Sequence, residues 1–83
     1  VWAANEGEAV AIAVGAWLGG GRGAVLLQNS GLGNAVNPLT SLVDTFEAPL
    51  LMLIGWRGQP GSADEPQHQR MGAITRDVLE LCG

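Results

Sequence analysis

Ala24-Val25-Leu26-Leu27-Gln28 and Leu50-Leu51-Met52-Leu53-Ile54 are the two stretches on which the fold turns. Both are short apolar runs without polar alternation, bounded by Gly23 on one side and by Pro49 and Gly55 on the other. A strand with one solvated face alternates apolar and polar residues, whereas an unbroken run suits a strand covered on both faces, the usual state in a parallel sheet. Parallel neighbours need a crossover of a dozen or more residues. The segment from Gly33 to Phe46 supplies one, with Leu39, Leu42, Val43 and Phe46 at helical spacing. Asn37-Pro38 either begins that helix or kinks it.

Working outward, the Ala-rich stretch from Asn5 to Gly19 is long enough for a buried helix, expected near residues 6 to 18, and Gly19, Gly20 and Gly21 stop it. Downstream, Arg70 to Cys82 reads as a last helix, with Met71, Ile74, Val78 and Leu81 on one face. Helix, strand, helix, strand, helix is the order of a three-layer α/β/α domain with a parallel sheet, its strands joined by a right-handed crossover.

Composition narrows the function classes. In 83 residues, 47% are hydrophobic and 14% charged, which excludes a disordered chain. A chain of this length buries only roughly 60% of the surface its unfolded form exposes, so its own core is marginal. One His and one Cys exclude an intrachain zinc site and an intrachain disulfide. Eight Asp and Glu against four Arg and no Lys leave no basic face for nucleic acid. The longest mainly apolar run, Ala9 to Gly21, is shorter than the roughly 20 residues of a membrane span, and no basic stretch precedes it, so a cytoplasmic, reducing compartment is expected. The chain opens on Val1 rather than Met, and its first residues read as the end of an apolar segment, the pattern of a piece of a longer protein.

Ligands of open parallel sheets bind beyond the carboxyl ends of the strands. Three polar segments fall at such ends. In the first, Asn5 and Glu8 can form a capping box, which accounts for Glu8 and leaves Glu6 either as a favourable charge at a helix start or as a functional acid. In the second, Gly31-Leu32-Gly33 begins a dinucleotide fingerprint that fails at Val36, and Ser30 lacks the flanking glycines of a nucleophile elbow. What remains from Gln28 to Asn34 is a turn rich in amides and backbone N–H groups, either an ordinary Asn/Gly turn or a contact for a polar heterocycle or anion. The third segment, Trp56 to His68, is long for a mere connection and holds the only His; its Arg57 can pair with Asp64 or Glu65, or stay free for a ligand.

Taken together, Ala4-Asn5-Glu6-Gly7-Glu8-Ala9, the run from Gln28 to Leu39, and Leu53-Ile54-Gly55-Trp56-Arg57-Gly58 followed by Asp64-Glu65-Pro66-Gln67-His68 resemble the phosphonopyruvate decarboxylases, of the thiamine diphosphate-dependent decarboxylase family. The resemblance covers nearly the whole chain and implies that residues 1–83 are part of a pyrimidine-binding domain. The implied reaction is the non-oxidative decarboxylation of 3-phosphonopyruvate to phosphonoacetaldehyde and CO2. In that family a carboxyl at the position of Glu6 contacts N1′ of the aminopyrimidine and favours the imino tautomer, whose N4′ removes the thiazolium C2 proton. The resemblance also sets the Gln28–Asn34 turn around the pyrimidine and the active-site mouth, with Gln28, Asn29, Ser30 and Gly31 as cofactor contacts, and makes Arg57 and His68 candidates for substrate contacts, His68 for turnover as well. An apolar domain interface with Val1, Trp2 and Ala4 nearby would bury Glu6 and raise its pKa.

The same resemblance implies partners. Diphosphate and Mg2+ would be held by a separate diphosphate-binding domain, on the same or another chain, through a Gly-Asp-Gly and downstream Asn motif that has no counterpart here. A homo-oligomer is implied, with no metal ligand in this segment and no activity from the segment alone. The alternative within the superfamily is a sulfopyruvate decarboxylase alpha-type chain, which shares the Glu and the Asn/Gly turn; outside it, a non-catalytic flavodoxin-like binding domain would retain the fold. Glu6 discriminates: an acid that shares one cleft with the Gln28 turn favours the enzyme, and an exposed one pointing away favours the binding module.

Overall fold

The computed structural model describes residues 1–83. Helix α1 spans Glu6–Leu18, strand β1 Ala24–Gln28, helix α2 Leu32–Pro38, helix α3 Asp44–Phe46, strand β2 Leu51–Gly55 and helix α4 Pro66–Cys82. A 3-10 turn at Asn29–Gly31 leads from β1 into α2, and a π-helical segment at Leu39–Val43 joins α2 to α3. The strands pair in parallel, Val25 opposite Met52 and Gln28 opposite Gly55. This is the α/β class with a parallel sheet and flanking helices that the segment order predicts, and it is consistent with a pyrimidine-domain fold.

Helix α1 starts where Asn5 caps it and stops at the glycines, where the Gly19, Gly20 and Gly21 amides donate to Gly15, Trp17 and Ala16 carbonyls. Its buried positions Val10, Ala13 and Val14 lie one helical turn apart. Val10 and Val14 meet Leu32, Ala35 and Leu39 of the crossover, and Ala48 closes the cluster. The crossover is helical from Leu32 to Phe46, as expected, but not one regular helix. Pro38 has no N–H for the Asn34 carbonyl, and the wider π-helical segment follows directly. Of the four apolar residues expected on its buried face, Leu39 is buried and Leu42 and Val43 pack against the core, whereas Phe46 is 58% exposed.

Two further expectations change. Coverage of both sheet faces is met on one face only: Val25, Leu27, Met52 and Ile54 lie on the covered side, while Leu26, Leu51 and Leu53 are 72%, 60% and 55% exposed. Only 12 of the 83 residues are buried, so the core is as small as the length implies. The last helix begins at Pro66 rather than Arg70, because proline suits the first helical turn, where its missing N–H costs nothing. Its inward stripe is Gly72, Thr75, Val78, Leu79 and Cys82, with Leu81 87% exposed. Of the expected face, Val78 packs against the core and Leu81 does not; the stripe turns toward Gly72 and Thr75 because the upper half of α4 faces a loop backbone and an amide side chain, which call for small and polar residues.

Gly72 and Gly58 are where that loop touches α4. A Cβ on Gly72 would fall well inside contact distance of the Gly58 carbonyl, and one on Gly58, whose φ is 68°, inside that of the His68 carbonyl. Both obstacles are main chain and cannot swing aside. Gly72→Ala gains about 1 kcal/mol of helix propensity but loses about 1–3 kcal/mol or more to overpacking. A lower thermal midpoint is therefore the expected result in the full-length protein.

Candidate active site

The first turn of α1 orients two acids differently. Asn5 Oδ1 accepts from the Glu8 amide at 2.9 Å, and Glu8 Oε1 accepts from the Ala4 amide at 3.1 Å. The capping box therefore closes one residue earlier than expected, and it occupies Glu8. Glu6 is left to face the turn after β1: its Oε2 accepts from Asn34 Nδ2 at 3.0 Å, and the rest of its carboxyl lies over Gly31, in the space a Cβ there would fill. Gly31 is itself buried. The acid thus faces the Gln28–Asn34 turn rather than pointing away from it.

The expected burial of Glu6 is not met within this chain. Val1 and Trp2 are fully exposed and do not cover it. Its carboxyl is held below the usual value, first by the Asn34 amide and then by its own main-chain N–H, which together outweigh desolvation. The rise expected from burial in a domain interface is not seen in this chain, where the carboxyl is lowered.

In the turn, Gln28 and Ser30 are exposed, and the Ser30 hydroxyl donates to Gln28 Oε1. Asn29 has another task. It is completely buried, donates from Nδ2 to the Arg57 carbonyl at 2.8 Å and to Thr75 Oγ1 at 2.9 Å, and accepts at Oδ1 from the Arg57 amide at 2.9 Å. Both amide hydrogens are used, so Asn29 ties β1, the chain after β2 and α4 together instead of meeting a cofactor.

Arg57 is likewise engaged. Its Nε donates to Asp64 Oδ2 at 2.8 Å and its Nη2 to Asp64 Oδ1 at 2.6 Å, a bidentate pair. Asp64 also accepts from the Gly58 and Glu65 amides at 2.8 and 2.7 Å. Of the two roles open to Arg57, the structure has it bracing the loop, and the free guanidinium expected for a substrate is replaced by this pair. His68 sits in the first turn of α4, half-buried, and its imidazole makes no hydrogen bond within the chain. The candidates therefore divide into Glu6 with Gly31 and Asn34, and Arg57 with Asp64, with Asn29 between them. Thr75 is the supporting residue to which the sequence assigns no role; Asp64 is expected only as a possible partner of Arg57, and Asn34 only as the end of the Gln28–Asn34 turn, with nothing in its spacing from Glu6 to mark their contact.

The Arg57 guanidinium, helped by the Glu65 and Gly58 amides, holds the Asp64 carboxyl well below the usual carboxylate range. A depressed folded-state pKa contributes stability that is fully present above the ordinary value of 3.8 and is lost as pH falls below it. Acidification below that value, or Asp64→Asn at neutral pH, is expected to release the loop. Hydrogen exchange at the Gly58 and Glu65 amides, taken as protection relative to the intrinsic rate at each pH, checks this: both lose protection while α1 amides keep it.

A hollow of about 400 Å3 opens beside this loop, lined by Gly58 to Asp64 with Gln69 and Ala73. It does not include Glu6, and its one charged group, Asp64, is already committed to Arg57. No group of three His, Cys, Asp or Glu could hold a metal ion, and no helix is long and apolar enough to cross a membrane.

No protein-family model matches the chain, and no solved structure matches it significantly. Among curated proteins, it is 60% identical over 78 residues to the phosphonopyruvate decarboxylase of Streptomyces viridochromogenes and 56% identical over 78 residues to that of Streptomyces hygroscopicus. Each match covers 94% of this chain and 20% of the relative, so the chain spans about a fifth of their length. It is 40% identical over 80 residues to the sulfopyruvate decarboxylase subunit alpha of Methanocaldococcus jannaschii, covering 96% of this chain and 47% of that subunit. Over nearly all its length, then, the sequence is closely similar to one segment of the phosphonopyruvate decarboxylases and, less closely, to sulfopyruvate decarboxylase alpha subunits.

Proposed function

We propose that this chain is the pyrimidine-binding part of a cytoplasmic, thiamine diphosphate-dependent decarboxylase that converts 3-phosphonopyruvate to phosphonoacetaldehyde and CO2. The observation that carries the reading is the Glu6 carboxyl set over Gly31 and bonded to Asn34. A flat heterocycle of this kind needs a carboxyl at its edge, and Glu6, seated in the slot left by Gly31 and facing the turn, fits that need. When bound, the cofactor supplies the electron sink for decarboxylation. Glu6 would exchange a proton with the pyrimidine edge, with Gln28 and Ser30 as polar neighbours. His68, with no partner in the chain, is the residue free to meet substrate; Asn29 and Arg57 act in support. Diphosphate and Mg2+ would be held by another domain or subunit, in an oligomer.

The non-catalytic alternative loses ground, because a structural acid at a helix start has no need of a partner 28 residues away. The higher identity to phosphonopyruvate decarboxylases, 60% and 56% against 40%, supports the phosphonate over the sulfonate substrate. The test is 31P NMR of the full-length protein with 3-phosphonopyruvate, thiamine diphosphate and Mg2+, with sulfopyruvate as competitor substrate. Phosphonoacetaldehyde formed only with the cofactor supports the proposal; faster turnover of sulfopyruvate supports the second reading.

A further inference from the structure

We propose that Asn34 is the positioning residue for the Glu6 carboxyl: its amide, carried on α2, grips one carboxylate oxygen and turns the carboxyl onto Gly31. The pairing stands on geometry alone, and its consequence for turnover rests on the functional reading above.

A glutamate in the first turn of a helix has three side-chain torsions and ordinarily samples several rotamers. Two contacts restrict Glu6 here. Asn34 Nδ2 donates to Oε2 at 3.0 Å, and the absent side chain of Gly31 leaves the slot into which the carboxyl fits. Asn34 is itself fixed from behind. A Cβ on Gly7 would stand 3.0 Å from the Asn34 carbonyl and 3.8 Å from Pro38 Cγ, so α1 and α2 approach main chain to main chain at this point. With its backbone set by that approach, Asn34 has only two torsions of its own with which to place its amide.

The choice of an amide matters chemically. Arg or Lys at this position would neutralise the acid, whereas Asn donates one hydrogen bond and leaves the carboxyl able to exchange a proton. The residues of the 3-10 turn, α2 and the π-helical segment, 29 to 43, include no charged side chain. Glu8, the nearest acid on α1, is turned to the Ala4 amide. Asn34 is therefore the side chain through which the packed elements act on Glu6, in keeping with the downward direction of its pKa.

The experiment is 13C NMR of the full-length apo-protein labelled at glutamate Cδ, with the Glu6 signal assigned from its loss in Glu6→Gln. Asn34→Ala is expected to raise the Glu6 titration midpoint, and Asn34→Asp, which sets a second carboxylate beside it, to raise it further. In the loaded enzyme Asn34→Ala should lower kcat on the order of 10- to 10²-fold by misplacing the acid, with KM unchanged and no further loss in a Glu6→Gln background. A Glu6 midpoint unmoved in both variants overturns the proposal whatever the activity. Full turnover in Glu6→Gln overturns the functional reading instead, and a shifted midpoint then still supports the pairing.

Discussion

Glu6→Gln in the full-length protein is expected to lower turnover of 3-phosphonopyruvate by about 10²- to 10⁴-fold, the usual contribution of an acid-base group. The substitution keeps size and shape, and the amide oxygen of Gln can still accept from Asn34, so the contact between α1 and α2 survives. What is lost is the ability to hold and release a proton. Removing a negative charge from the first turn of α1 costs at most about 0.3–1 kcal/mol, too little to unfold a domain. Turnover should therefore collapse while the thermal midpoint and thiamine diphosphate affinity barely move. Measuring kcat at saturating cofactor beside calorimetric binding decides the matter: wild-type turnover removes Glu6 from the chemistry, and lost binding makes it a cofactor anchor instead.

The largest loss of stability is expected from Asn29→Asp, although the two side chains have nearly the same shape. Asn29 gives both amide hydrogens to acceptors, the Arg57 carbonyl and Thr75 Oγ1. Aspartate offers neither. Thr75 already donates its own hydrogen to the Met71 carbonyl, so it cannot turn and donate to the new carboxylate. A charge with no solvent access would face two oxygen acceptors, costing roughly 3 kcal/mol or more, a large part of the 5–15 kcal/mol typical of a whole domain. The introduced acid would have a raised folded-state pKa, so the folded form binds the extra proton. Stability of the variant is then expected to recover as pH falls through that value, the opposite of the Asp64 dependence. Thermal midpoints at neutral and mildly acid pH test this; a variant as stable as wild type at neutral pH would show that Asn29 does not tie the three elements together.

Much of the fold could be read along the chain. The two apolar runs between glycine and proline became β1 and β2 in parallel, and Asn5 and the Gly19–Gly21 run bound α1 as expected. These features are legible because each depends on neighbours within one turn or one strand. Readings failed where a residue's partner comes from another element. Leu81 and Phe46 are apolar at helical spacing yet exposed, while Gly72 and Thr75 take the inward positions because a loop and the Asn29 amide lie against them.

The candidate site divides along the same line. Sequence alone singled out Glu6, the Gln28–Asn34 turn and the Arg57 loop, because polar residues at the ends of apolar strands stand out against their surroundings. It left Arg57 between two roles, set Asn29 beside a cofactor, and gave Asn34 no role apart from the turn as a whole. Only the tertiary structure set Arg57 on Asp64, turned Asn29 inward to Thr75, and brought Asn34 across to Glu6. The physical reason is that a hydrogen-bonding side chain has several possible partners along the chain, and which one it meets is decided by how the helices and strands pack, a quantity that periodicity and composition do not contain.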